Sequence, residues 1–197
     1  MNRKLKASWK ITGLALTAFF VAGKPALGFT VNTTPLTPTE KNIETLGTGV
    51  AIALPVVAGG IALWKHDRVG VAQLAVEGLL TVGTAYALKN LVRERRPDGS
   101  DYQSFPSETT AVAASGSTFL WDRYGWQYGL PATAMTEFVS YSRVQARQHR
   151  WYDTLASSAI AAGYGLVVTT PFKRRYNIDT SFEGAPDGGL VKLSYAW

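Results

Sequence analysis

Cysteine is absent from this 197-residue chain, so neither disulfide bonds nor thiol chemistry can contribute to it. Internal repeats at a solenoid period and low-complexity tracts are also missing. Acidic residues are lacking from positions 1 to 28, which carry Arg3, Lys4, Lys6, Lys10 and Lys24. Those five account for most of the formal charge of +6: without them, 15 of the 20 lysines and arginines face 14 aspartates and glutamates. The remainder is close to neutral and calls for no nucleic acid or other polyanionic partner.

Long uninterrupted apolar runs are scarce as well. A membrane-spanning helix needs roughly 20 mostly apolar residues. Only 49–64 is clean, at 16 residues; 70–92 contains Gln73 and Glu77, and 126–141 contains Glu137. With a mean hydropathy of zero, this leans towards a soluble or surface-associated protein. Against that, a succession of alternating helices would put the loops WKHDR, DRYG and FKRR on one side, as a multi-pass protein with basic inner loops requires. Both readings stand at this level.

What is present begins with a basic start (MNRKLKASWK), an apolar run (ITGLALTAFFVAG) and small residues near Ala26 and Gly28. This is the order of a secretory signal, and the alternative is a retained N-terminal anchor. Either assigns the chain to export, in the periplasm or cell envelope, with a multi-pass inner-membrane protein whose site faces the periplasm as the alternative. Residues 1–28 are therefore read as signal or anchor and 29–45 as a Thr- and Pro-rich linker. Apolar segments follow at 49–64, 70–92, 110–121, 126–141 and 154–170, with the length and Ala/Leu content of helices. The fold expected over 46–172 is an all-α, compact bundle of about five to six helices. The tail, 173–197, alternates Val191, Leu193, Tyr195 and Trp197 with Lys192, Ser194 and Ala196, which predicts a short β-hairpin.

Seven of the fifteen basic residues beyond the N-terminus fall in two windows: Lys89, Arg93, Arg95 and Arg96, then Arg143, Arg147 and Arg150. Lys89, Arg93 and Arg96 are spaced to share one face if their helix continues. A helix C-terminus favours cations and would account for one such cluster but not for two. His149 and Asp153 are four apart, so on a helix the carboxylate can bond one imidazole nitrogen and fix its tautomer. An oriented imidazole among arginines suits nucleophilic attack at phosphorus, although such a pair taken alone is more often a surface contact. Tyr102, Phe105, Trp151 and Tyr152 could flank a lipid chain, and core packing is the simpler expectation.

Taken together, Lys89 with six residues to Arg96-Pro97, then Pro106-Ser107, then Ser142-Arg143 with five residues to His149 and three to Asp153, resemble the signature of the type 2 phosphatidic acid phosphatase superfamily. That superfamily also includes bacterial acid phosphatases and vanadium haloperoxidases. Nine residues match at three internal spacings, over about 45–170. The resemblance implies Lys89, Arg96, Ser107 and Arg143 as phosphate ligands, His149 as nucleophile and Asp153 as its orienting partner. It further implies a phosphohistidine intermediate, no metal or other cofactor, and a phosphorylated small molecule or lipid phosphate as partner, with membrane association.

The second motif of the superfamily reads Pro-Ser-Gly-His, and this chain has Pro106-Ser107-Glu108-Thr109. In the superfamily that histidine is the general acid, a role worth roughly 10²- to 10⁴-fold. The threonine hydroxyl is too weak an acid to replace it. Glu108 would be held ionised by the surrounding cations and would repel an incoming phosphate. The other histidine, His66, lies roughly 30 Å from Lys89 at the far end of the intervening helix. The expectation is a weakened phosphatase; the alternatives are a non-catalytic phosphate-binding protein and an envelope protein in which Glu108 permanently fills the cradle.

Overall fold

The structure, a computed structural model, describes residues 31–172, 177–185 and 188–196. The signal or anchor read at 1–28 lies outside the described residues. Five helices follow one another: α1 (Pro38–Trp64), α2 (Arg68–Val92), α3 (Glu108–Tyr124), α4 (Trp126–Gln145) and α5 (Trp151–Val168). They form the all-α bundle. Strands β1 (Asn177–Ala185) and β2 (Gly188–Ala196) pair antiparallel, from Asn177 opposite Ala196 to Ala185 opposite Gly188.

The linker expected over 29–45 is shorter than the sequence suggests, because α1 starts at Pro38. Thr37 and Glu40 cap it reciprocally: the Thr37 hydroxyl accepts from the Glu40 amide at 3.3 Å, and the Glu40 carboxylate accepts from the Thr37 amide at 2.7 Å. Proline at the first helical position suits the same start. Asp67 caps α2 through the Gly70 amide at 2.9 Å, and Ser107 caps α3.

Helix α3 is the hub, touching each of the other four helices. Small residues permit this closeness: Ala51, Ala58 and Ala62 of α1 and Ala113 of α3 are buried beside Phe119, Leu120 and Val139. A Cβ on Gly116 would sit 2.7 Å from the backbone nitrogen of Pro55 and 2.9 Å from the carbonyl carbon of Leu54. Only glycine lets α3 approach the α1 backbone so closely.

Both α1 and α2 are long and apolar enough to cross a membrane; their most apolar 18-residue windows have hydropathies of 2.0 and 1.4. Counting 49–64 alone had understated α1. Only 28% and 17% of those windows is buried, whereas the core helix of a soluble bundle is mostly buried. Their outer faces carry Leu46, Ile52, Val56, Leu79 and Leu91, all exposed. Glu77, the polar interruption in α2, is fully buried and accepts a 2.6 Å hydrogen bond from Thr169. Gln73 bonds Thr170 at 3.1 Å. Glu77 and Gln73 therefore find partners within the protein while Val76, Leu79 and Leu80 face outward, an arrangement that suits a lipid environment.

The loops WKHDR and DRYG meet at one end of the bundle. Arg123 grips Asp67 with two nitrogens, each at 2.6 Å, and donates to the Thr170 carbonyl at 2.5 Å. Burial alone would raise the Asp67 pKa, but the bonds from Arg123, Gly70 and Tyr124 outweigh it and hold the carboxyl below its ordinary value.

Candidate active site

The opposite end of the bundle collects the C-terminus of α2, the N-termini of α3 and α5, the C-terminus of α4 and the first turns of α1. Lys89, 6% exposed, projects from the last turn of α2. Its Nζ lies 3.5 Å from the Glu108 carboxylate at the first position of α3. A carboxylate there also complements the positive end of the helix dipole.

Helix α2 stops at Val92, and the chain reverses at Arg93, whose φ of 48° lies in the left-handed region. Lys89, Arg93 and Arg96 thus do not share a helical face, contrary to their spacing. Arg96 returns to the site by a tight turn instead: the Gly99 amide bonds the Arg96 carbonyl at 3.0 Å, and Arg96 Nε donates to Asp101 at 2.9 Å. From there Arg96 acts electrostatically on Lys89, Arg143 and His149.

Arg143 is buried at the end of α4. Nη2 donates to the Glu44 carbonyl at 2.6 Å and to Thr48 at 3.0 Å, and Nη1 donates to Gln148 at 3.0 Å. A longer contact joins Nε to Ser142 at 3.4 Å. Of its five N–H donors, the protein leaves about one for an external anion. Arg147 and Arg150 are structural: the first bonds the Thr34 carbonyl and Glu40, the second Glu94 and the Arg95 carbonyl.

His149 precedes α5 and is 3% exposed. Its Nδ1 is 2.6 Å from the carbonyl oxygen of Ser104 and 3.7 Å from Asp153 Oδ2. The expected direct bond from imidazole to Asp153 is therefore absent, because His149 lies outside the helix whose pitch the expectation assumed. A carbonyl can only accept, so Nδ1 carries the proton and the lone pair is on Nε2. Asp153, itself fully buried, accepts from the Ser104 hydroxyl at 2.6 Å and from the Arg150 amide at 2.8 Å. Asp153 and His149 thus grip opposite ends of Ser104. Burial lowers the His149 pKa and Arg96 adds to this, outweighing the opposing pull of Asp153 and Ser104.

Ser107 is fully buried at the cap of α3, where its Oγ accepts from the Thr110 hydroxyl at 3.0 Å and, more weakly, from the Thr110 amide at 3.4 Å. The structure thus brings Lys89, Arg96, Arg143, His149, Asp153 and Glu108 to one end of the bundle and uses Ser107 as a cap. Tyr102 does not pack in the core, being 56% exposed. Among the contacts beyond the sequence, three orient the site most directly: the Ser104 carbonyl, the Glu44 carbonyl and the Asp101 carboxylate. The first two are backbone atoms, which no side-chain pattern encodes; the third sits five residues from Arg96 with no motif to mark it.

The chain belongs to the phosphatases of the type 2 phosphatidic acid phosphatase kind. The relative that shows this is the lipid A 4'-phosphatase of Helicobacter pylori (strain J99), to which it is 31% identical over 160 residues, 73% of this chain and 80% of that protein. No protein-family model matches the sequence, and no solved structure matches the chain.

Proposed function

We propose that this protein is a membrane-embedded phosphatase of phosphorylated lipids that works through His149, with unactivated esters turned over slowly because Glu108 and Thr109 stand where a glycine and a general acid would. The relative named above acts, by its name, on the 4'-phosphate of lipid A, and this chain is read as taking a lipid phosphate of related kind. The observation that carries the reading is the hydrogen bond from His149 Nδ1 to the Ser104 carbonyl at 2.6 Å. It leaves Nε2 as the nucleophilic nitrogen, beside the positive field of Arg96.

In the proposed course Nε2 attacks phosphorus, the P–O bond to the lipid breaks and a P–N bond forms. Lys89, Arg96 and the remaining Arg143 donor neutralise the phosphoryl oxygens. The ring becomes cationic, and the Asp153 carboxylate 3.7 Å from Nδ1 favours that charge. Water then attacks phosphorus, the P–N bond breaks, and phosphate leaves. The departing lipid alkoxide needs a proton in the first step, and the water must lose one in the second. The same side chain would serve both, and at this position the chain has Thr109.

The Lys89–Glu108 contact at 3.5 Å favours a second reading, a protein that binds phosphate groups without hydrolysing them. Phosphate release in detergent from p-nitrophenyl phosphate and phosphatidic acid separates the two. The expected result is slow release from the aryl ester by the chain itself and none by His149→Ala. A gain of roughly 10²- to 10⁴-fold on phosphatidic acid is expected when Glu108→Gly and Thr109→His are combined. If the combined variant stays inactive on both substrates, the phosphatase reading falls.

A further inference from the structure

The signature specifies no residue between Lys89 and Arg96, yet Glu94, inside that interval, is tied to both halves of the histidine site. We propose that Glu94 is a positioning residue whose carboxylate closes a ring of contacts holding His149 in its Nδ1-protonated orientation; the inference rests on the reading of His149 as the nucleophile.

The ring starts at the Glu94 carbonyl, which accepts from the Ser104 amide at 2.9 Å. The Ser104 carbonyl accepts in turn from His149 Nδ1 at 2.6 Å. His149 is joined to Arg150 by the peptide bond, and Arg150 Nη1 donates back to the Glu94 carboxylate at 2.7 Å. The Tyr152 hydroxyl donates to the same carboxylate oxygen, and the Arg150 guanidinium lies 5.9 Å from the Tyr152 ring centroid. Burial, and after it the Glu94 carboxylate, push the Tyr152 pKa up, so the hydroxyl stays a donor. Arg150 and Tyr152 stand between His149 and Asp153 in the chain. One carboxylate therefore grips the segment that joins the imidazole to its compensating charge. The Glu94 and Arg150 side chains are 19% and 17% exposed, which shields their bond from the water and salt that weaken surface pairs.

Ser104 passes any movement on. Its amide is held by Glu94, its carbonyl holds His149 and its hydroxyl donates to Asp153 at 2.6 Å. The phosphate ligands are anchored by other groups: Arg96 by Asp101 at 2.9 Å, Arg143 by the Glu44 carbonyl at 2.6 Å, and Lys89 by its place in α2. Removing the Glu94 carboxylate thus opens the ring around His149 and leaves those anchors in place.

The chain has two histidines, His66 and His149, so ¹⁵N-histidine labelling of the full chain in detergent reports the tautomer of each imidazole, with His66→Gln assigning the signals. At about pH 8, above the ordinary histidine range, His149 is expected as the Nδ1-protonated tautomer in the unaltered chain and as a mixture in Glu94→Ala. Glu94→Gln should match the unaltered chain, because its amide oxygen still accepts from Arg150 and Tyr152. With p-nitrophenyl phosphate, Glu94→Ala should lower kcat roughly 10- to 100-fold and leave the inhibition constant of inorganic phosphate within about twofold, and Glu94→Gln should recover most of the loss. Tyr152→Phe, which removes one donor and keeps the ring, is an independent, milder variant expected to shift both readouts the same way. A loosened fold would instead weaken phosphate binding and turnover together. An unchanged tautomer or kcat in these two variants, or an equal loss of phosphate binding, would overturn the role of Glu94 and leave His149 standing as nucleophile. An unaltered chain whose His149 is not protonated at Nδ1 would remove the nucleophile reading and the positioning role with it.

Discussion

Because His149 Nδ1 is held by a backbone carbonyl at 2.6 Å and Asp153 stands 3.7 Å away, orientation and charge compensation of the imidazole are divided between two groups. Sequence spacing put the histidine and the carboxylate together correctly and assigned them the wrong direct contact. The spacing encodes proximity, whereas the contact depends on the loop 104–107 folding back over α5. The pH profile follows from the same burial. His149 is reactive when neutral, and burial pulls its pKa below the ordinary 6.5. The folded chain therefore resists protonation, and the neutral form persists to lower pH than in a free imidazole. The acid limb of kcat/KM for an aryl phosphate should fall below pH 6.5. A limb above that value would mean that the imidazole is stabilised as a cation and would count against it as nucleophile. By linkage, the stability due to this group is present above the unfolded pKa and is lost as pH falls towards the folded one.

At the scale of elements, the sequence disclosed the five helices but not all of their limits. Apolar periodicity does not reach the capped, polar first turns of α1, so 38–48 reads as linker or margin until the Thr37–Glu40 box is seen as a start. At the other end of the site the apolar segment 70–92 gives out where the helix does, but nothing in LVRERRP marks the left-handed turn at Arg93. The residue following Val92 is neither glycine nor asparagine, the usual signals for a left-handed cap. The helix–helix contacts are set by small residues whose purpose only the packing reveals. Gly116 is the clearest case. Replacement by alanine would drive Cβ to 2.7 Å from the Pro55 nitrogen, and the rigid proline-bearing turn of α1 has no side chain to move aside. Gly116→Ala should cost about 1–3 kcal/mol, read as a lower thermal midpoint in detergent with the helical content retained. An unchanged midpoint would show that α1 and α3 are not packed this tightly. Gly47 makes a comparable approach near the site, where a Cβ would lie 1.9 Å from the Ser142 Oγ.

At the scale of the molecule, two polar ends are separated by the apolar lengths of α1 and α2. From Arg68 to Lys89 the helix rises about 30 Å at 1.5 Å per residue, close to the roughly 30 Å hydrocarbon thickness of a bilayer. One end holds the Asp67–Arg123 staple and the other the cradle, so the proposed site would stand at a membrane surface, where a lipid phosphate is presented. The chain should accordingly stay with the membrane pellet through an alkaline carbonate wash and leave it only in detergent; release by carbonate alone would contradict the assignment of α1 and α2 as spans. The zero mean hydropathy that argued otherwise averages these helices with the charged loops of both ends. What the assembled molecule does is tested most directly by rapid mixing with p-nitrophenyl phosphate, followed by mass spectrometry of the quenched chain. The leaving group needs little protonation, so the first step should proceed, while loss of the base at Thr109 should slow the second. The predicted result is a burst of p-nitrophenol approaching one equivalent per chain, with an acid-labile phosphoryl group on His149. Steady turnover with no burst and no modified His149, or no release at all, would contradict the account.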